Sequence, residues 1–330
     1  MFIRSAATFI FALIAVPASA ACTGDSYFDR MTPNQRMQLS TEVADMPFAE
    51  GLVWTATKNA TSITVVGTMH IYDPRLDELR AQLTDTIASA DLVMLEATPE
   101  DEAKLQNLIT TDPGTLFIVD GPTLPELLDE ETWQMIAGAA SERGIPSFMA
   151  AKMQPWYLSL TLSIPSCAMS DMMAGARGLD QMIIEDAQAA GVPMQAVEPY
   201  TTLFDLFEDN SFDEQVDMLR VGMLMPELQE QMFVSMLDRY FAEDVGRLWK
   251  MSRIALSDVP DLDLATGQAM FDEMEESLLN SRNRNWIPVI TEAAMTHDAI
   301  VLAVGAAHLI DDQGVLQLLQ NDGWLITRVD

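Results

Sequence analysis

Positive charge is what this chain has least of. Eighteen lysines and arginines face fifty aspartates and glutamates, a formal net charge of -32. Such a surface repels nucleic acid and anionic membranes, so neither is expected as a partner. Histidine is scarce too, with three among 330 residues, and there are only two cysteines. After the first twenty residues no apolar run is long enough to span a bilayer. Also missing are the Gly-x-x-x-x-Gly-Lys phosphate loop, the Gly-x-Gly-x-x-Gly turn, the Gly-x-Ser-x-Gly elbow and the His-Glu-x-x-His helix. Nucleotide-binding and serine-hydrolase readings thereby lose their usual signals.

The first twenty residues read as an export signal. Arg4 supplies the basic start, "TFIFALIAV" the apolar centre and Ala18-Ser19-Ala20 the small-residue cleavage pattern. The mature chain is expected to begin near Ala21, in the periplasm or outside the cell. Cys22 follows closely, but Ser19 stands where a lipid-attachment motif usually has Leu, so a lipid anchor is the lesser alternative. In an oxidising compartment Cys22 and Cys167 form a candidate disulfide tying an N-terminal arm, residues 21–50, to the body. The other arrangement is two separate thiols, neither with a histidine nearby in sequence to act as its base.

From residue 51 the pattern is that of one large α/β domain. "GLVWTAT" and "SITVVGT" read as a hairpin, residues 73–90 as a helix, and "DLVMLEA" as a strand returning parallel to the second. Residues 99–280 are mainly helical and rich in Met and Leu, interrupted by the short strand "VPMQAVEP". The helix "NWIPVITEAAMTH", the strand "AIVLAVG", the helix "QGVLQLLQND" and the strand "WLITRV" close the chain. The expected architecture is a central mixed sheet built from both chain ends, flanked by helices, with a large helical insertion as a cap.

Four strands end on a residue able to ligate or to move a proton: "ITVVGTMH" at His70, "DLVMLE" at Glu96, "MQAVE" at Glu198 and "VLAVGAAH" at His308. Run parallel, they deliver all four side chains to the carboxyl edge, where open α/β sheets bind ligands. Two imidazoles and one or two carboxylates suit a divalent metal such as manganese, cobalt or zinc. Gly67 and Gly305, each three residues before a histidine, would let backbone or ligand approach closely. Arg282, in "SRNRNWIP", is a candidate for binding a substrate carboxylate or an oxyanion, the alternative being a salt bridge to an acidic helix. Arg284 shares that choice, and Asn283 and Asn285 could cap or contact the helix. His297 falls where a helix should finish and reads as structural.

These same segments resemble the TraB/GumN family, related to the TIKI metalloproteases. The likeness rests on "VVGTMHIYDP", "LVMLEATPE", "GLDQMIIEDAQAAGVPMQAVEP", "SRNRNWIPVI" and "LAVGAAHLIDDQGVLQLLQNDGW". It implies a TraB/GumN-like domain over residues 51–330. It also implies a metal-dependent hydrolase, with peptidase activity one option and a peptide or other small molecule as substrate. His70, His308 and Glu96 would hold the metal, Glu198 would be a further ligand or base, and Arg282 and Asn283 would match the family's Arg-Asn pair. Ala307 departs from the Gly-Ala-Gly-His form frequent in the family, and its β-carbon would restrict approach to the site. The alternative function is a non-catalytic periplasmic binding or accessory protein for envelope or exopolysaccharide assembly.

Overall fold

The computed structural model describes residues 22, 24–208, 211–223, 225–260 and 262–329, so the expected export segment at 1–20 lies outside the described residues. Val53–Lys58 (β1) and Thr61–Thr68 (β2) form the expected hairpin, its turn reached through Asn59 at φ 57. Leu92–Leu95 (β3), Met194–Ala196 (β4), Ala299–Gly305 (β5) and Leu325–Arg328 (β6) complete one sheet in the order β4-β3-β5-β2-β1-β6. β4, β3, β5 and β2 are mutually parallel, and β1 runs antiparallel to both β2 and β6. The sheet is therefore mixed and draws strands from both chain ends.

Alternation along the strands divides the core. On one face Val66, Val93, Val301 and Ala303 pack with Leu83 and Ile87 of the helix Leu76–Ala88 and with Leu179, Ile183 and Ala187 of the helix Leu179–Ala190. On the other, Ile63, Val65, Met94, Leu302 and Val304 meet Trp286 and Ile290 of Ser281–Ala293 and Leu316 and Leu319 of Val315–Asn321. A sheet covered by helices on both faces explains why β3 and β5 read as near-continuous apolar runs. The insertion has a core of its own, in which Ile136, Leu158 and Leu219 are buried together.

Register sets the site. Gly67 of β2 lies opposite Val304 of β5 and Thr68 opposite Gly305, so the two Gly-x-x-His segments leave neighbouring parallel strands side by side. Gly67 is required by packing, since a β-carbon there would lie 2.9 Å from Leu309 Cδ1 and 3.1 Å from Ala306 Cα.

The N-terminal arm folds back on the body through the helix Pro33–Ala44, begun by a reciprocal Thr32–Gln35 capping box. Its Leu39 and Val43 are buried with Met251 and Ile254. The arm is also held by a disulfide between Cys22 and Cys167, which are 145 residues apart in sequence. No helix among the described residues is long and apolar enough to cross a membrane. Because the crosslink restricts a long loop of the unfolded chain, Cys22→Ser/Cys167→Ser should lose ~2–4 kcal/mol of stability. Urea unfolding of the oxidised protein and the double variant measures the difference, and coincident curves would show that the bond adds nothing.

Candidate functional site at the carboxyl edge of the sheet

Because β2, β3, β5 and β4 share one direction, the residues that follow them gather at one edge. Glu96 comes directly after β3, Glu198 shortly after β4, His70 just beyond β2, and His308 in the tight turn Ala306–His308 that follows β5. The fifth contributor arrives from the helix that follows the insertion. Helix Leu264–Glu275 runs into a π-helical turn at Glu276–Asn280 before continuing as Ser281–Ala293. Such wide turns are frequent at functional sites. Here one delivers Arg282 and Asn283, 7% and 1% exposed, into the site.

Arg282 ties the edge together. Its Nη2 donates to Glu96 Oε2 and to Glu198 Oε1, both at 2.6 Å, and its Nε donates to Glu198 Oε2 at 3.0 Å. Its Nη1 donates to the Leu278 carbonyl of the π turn at 2.9 Å and lies 3.3 Å from His308 Nε2. Trp286 Nε1 also donates to Glu198 Oε2, at 2.9 Å, so both carboxylates of this partly buried triad have strong donors. The salt-bridge reading of Arg282 thus describes its contacts, but its partners are the site carboxylates themselves.

Asn283 fixes the tautomer of His308. The Asn283 amide nitrogen donates to the Gln313 carbonyl at 2.9 Å, which turns its Oδ1 toward His308 Nδ1 at 2.6 Å. Nδ1 therefore carries the hydrogen, and Nε2 presents its lone pair to Arg282 and the interior of the site. Burial, aided by the nearby Arg282 charge, pushes the His308 pKa down to about 3, so this imidazole is neutral. It packs against Trp286 with ring centroids 4.3 Å apart.

His70 is held differently. Its Nδ1 lies 3.4 Å from Asp180 Oδ2, and that hydrogen bond, opposed by the partial enclosure of the ring and reinforced by the charges of Asp180 and Glu96, lifts its pKa to about 9. Asp180 reaches it because Gly178 lets the start of helix Leu179–Ala190 dock on the strand end, with Leu179 N donating to Met69 O at 2.9 Å. A β-carbon at 178 would lie 2.3 Å from Met69 O. Asp180 Oδ1 is buried without a partner.

Glu96 connects the two histidines. Its Oε1 accepts from Gly305 N at 2.7 Å and lies 4.0 Å from His308 Nε2. Burial works to raise its pKa, but the facing imidazoles, the Arg282 charge and the Gly305 amide outweigh it and hold the carboxyl at about 2. A β-carbon on Gly305 would lie 3.3 Å from Glu96 Oε1, 3.7 Å from His70 Nε2 and 3.6 Å from His308 Cδ2. The two imidazoles and the carboxylate thus surround the space left by the missing side chain at 305.

With this arrangement in view, a family model described as TraB/PrgY/gumN matches residues 52–328. The chain belongs to the TraB/PrgY/gumN family. No match to a curated protein or to a solved structure was found.

In this TraB/PrgY/gumN chain no three His, Cys, Asp or Glu side chains among the described residues form a ready metal-binding group. Glu96 Oε2 and Glu198 are drawn instead onto the guanidinium of Arg282. The donor chemistry nevertheless suits a divalent cation, since His70 Nε2, His308 Nε2 and Glu96 Oε1 border one space. Each histidine also has a partner on its other nitrogen, the support that metal-binding imidazoles usually have.

Other sequence candidates lie elsewhere. His297 sits before β5, at the opposite edge of the sheet, where its Nδ1 is 3.1 Å from the Ala293 carbonyl at the helix end. Arg284 is paired with Glu276 on the surface, and Asn285 is exposed. Ala307 lines the opening above the site together with Gly305 and His308. Sequence reasoning missed Gly178, Asp180 and Trp286. An acidic residue in the first turn of a helix already has a dipole explanation, so nothing local tied Asp180 to His70.

Removing the guanidinium should expose how much the site depends on it. Arg282→Met leaves two buried carboxylates without their cation and should cost ~3–5 kcal/mol. The triple variant Glu96→Gln/Glu198→Gln/Arg282→Met should recover most of that loss in urea unfolding. Equal stability of wild type and Arg282→Met would show that water already solvates these groups.

Proposed function

We propose that the chain is an exported hydrolase that uses water to cleave an acyl bond at the carboxyl edge of its sheet. The observation that carries this reading is the convergence of His70, Glu96 and His308 on the open space beside Gly305, with Arg282 behind them. Four groups from separate parts of the chain meet there, each oriented by a partner of its own, with Arg282 and His308 buried. Such clusters in clefts are characteristic of catalytic sites.

His70 Nε2, His308 Nε2 and Glu96 Oε1 are the atoms that would hold a divalent manganese, cobalt or zinc ion. Such an ion supplies a hydroxide near neutral pH and polarises a carbonyl oxygen. The protein's own residues divide the remaining work. Asp180 orients the His70 ring from its Nδ1 side, and an ion held at Nε2 would take the place of that nitrogen's proton. Asn283 keeps His308 in the tautomer that aims its lone pair into the site. Arg282 holds Glu96 and Glu198 in place, and Trp286 restrains Glu198 from its other side. This gives Arg282 a positioning task inside the protein. The disulfide and the absence of a membrane-crossing helix among the described residues are compatible with an extracytoplasmic location.

The test uses the purified mature chain with added manganese, cobalt or zinc, scored for bound metal and for hydrolysis of peptide and ester substrates. His70→Ala and His308→Ala should each lower kcat/KM by roughly 100-fold or more while the circular dichroism spectrum is retained. Turnover unchanged in both variants, with no metal bound, overturns the reading. Asp180→Asn should lower metal affinity or activity by roughly 10–100-fold, the usual effect of losing such a supporting carboxylate. An Asp180→Asn protein equal to wild type in both would remove Asp180 from the site.

A further inference from the structure

Above the His70–His308 floor lies a cavity of about 650 Å³, within the size range that accepts organic ligands. Its walls are apolar. Met232, Phe233 and Met236 come from helix Pro226–Phe241, Leu248 and Trp249 from helix Val245–Ala255, and Leu278 from the π turn. Ser163, Gln229 and Ser252 add a few polar side chains. The positively charged lining residues are both already paired, Arg282 with Glu96 and Glu198 and His70 with Asp180. A ligand carboxylate would find no unpaired positive partner among these side chains.

The backbone around the cavity is equally restrictive. β2 and β5, whose ends form the floor, are interior strands, while the open edges of the sheet belong to β4 and β6. The Pro226–Phe241 and Val245–Ala255 walls are helices, which satisfy their interior peptide groups within themselves. An extended peptide therefore has no strand edge to pair with, and each of its buried amides would need a partner that these walls do not supply. One polar group stands ready: the hydroxyl of Thr68, a lining residue only 3% exposed, has no hydrogen-bond partner. A single hydroxyl suits a single carbonyl.

We propose that this cavity takes the hydrocarbon chain of an uncharged acyl ester or simple amide, its carbonyl lying between Thr68 and the floor formed by His70 and His308, and that the site serves such acyl compounds rather than polypeptides. The ligand class rests on the cavity, and its conversion rests on the hydrolase reading. For an ester, the oxygen of water bonds to the carbonyl carbon, the acyl C–O bond breaks, and the alcohol departs with one proton from that water. The product is a fatty acid, which ionises and releases the second proton of that water to solvent.

Calorimetric titration of the mature chain separates binding from turnover. Octanamide should bind more tightly than acetamide by roughly two- to fourfold for each added methylene. Octanoate should bind at least about tenfold more weakly than octanamide, because a buried charge without a partner is heavily penalised. Trileucine amide should not displace octanamide. Met236→Glu and Leu248→Glu should each weaken octanamide binding by about tenfold or more. If either unfolds, Met232→Trp, which fills the cavity without adding charge, should produce the same loss. No octanamide binding, equal binding of octanoate, or displacement by trileucine amide overturns the proposal. Octanamide binding with the expected variant losses, but no turnover of p-nitrophenyl octanoate, supports the cavity assignment and overturns the hydrolase reading instead.

Discussion

The guanidinium of Arg282, set between Glu96 and Glu198, is the interaction on which the carboxyl edge of this protein depends. Two carboxylates from neighbouring strands come together with a neutral histidine in a largely dehydrated place, and without a cation that grouping would be expensive. One planar group satisfies both, with further contacts to Leu278 O and His308 Nε2. The consequence reaches beyond charge balance. Arg282 comes from a helix after a π turn, while its partners follow three parallel strands, so the same bonds dock the end of the cap on the sheet.

Around that anchor the two histidines have opposite settings. His308 is buried, neutral and fixed by Asn283, whereas the His70 side chain is 65% exposed toward the cavity and is held by Asp180. The contrast follows from what surrounds each ring. Trp286, Arg282 and the sheet enclose His308, while His70 stands at the end of β2 where the floor opens. Glu96, bonded to the Gly305 amide, lies between the two environments. A site with one fixed imidazole and one accessible imidazole can hold its geometry and still admit a ligand.

The covering helices give the site its other character. Their apolar side chains form the walls, and the acidity of the chain as a whole does not extend to the cavity lining. The guanidinium at this edge is committed to internal carboxylates. Composition and site chemistry are linked here: in a chain with so few positive charges, placing one at the centre of the edge is a specific structural choice.

Periodicity and punctuation in the sequence determined most of the architecture. The hairpin before His70, the strands before Glu96, Glu198 and His308, and the flanking helices are all local patterns of apolar residues bounded by turn formers. Placing those four residues at one edge required only that their strands run parallel, and they do. What only the tertiary structure decided is which groups touch. The guanidinium of Arg282 binding both carboxylates, the Asn283–His308 tautomer lock and the docking of Gly178 that carries Asp180 to His70 all join residues distant along the chain. No local periodicity encodes such contacts, because each depends on how separately formed elements pack.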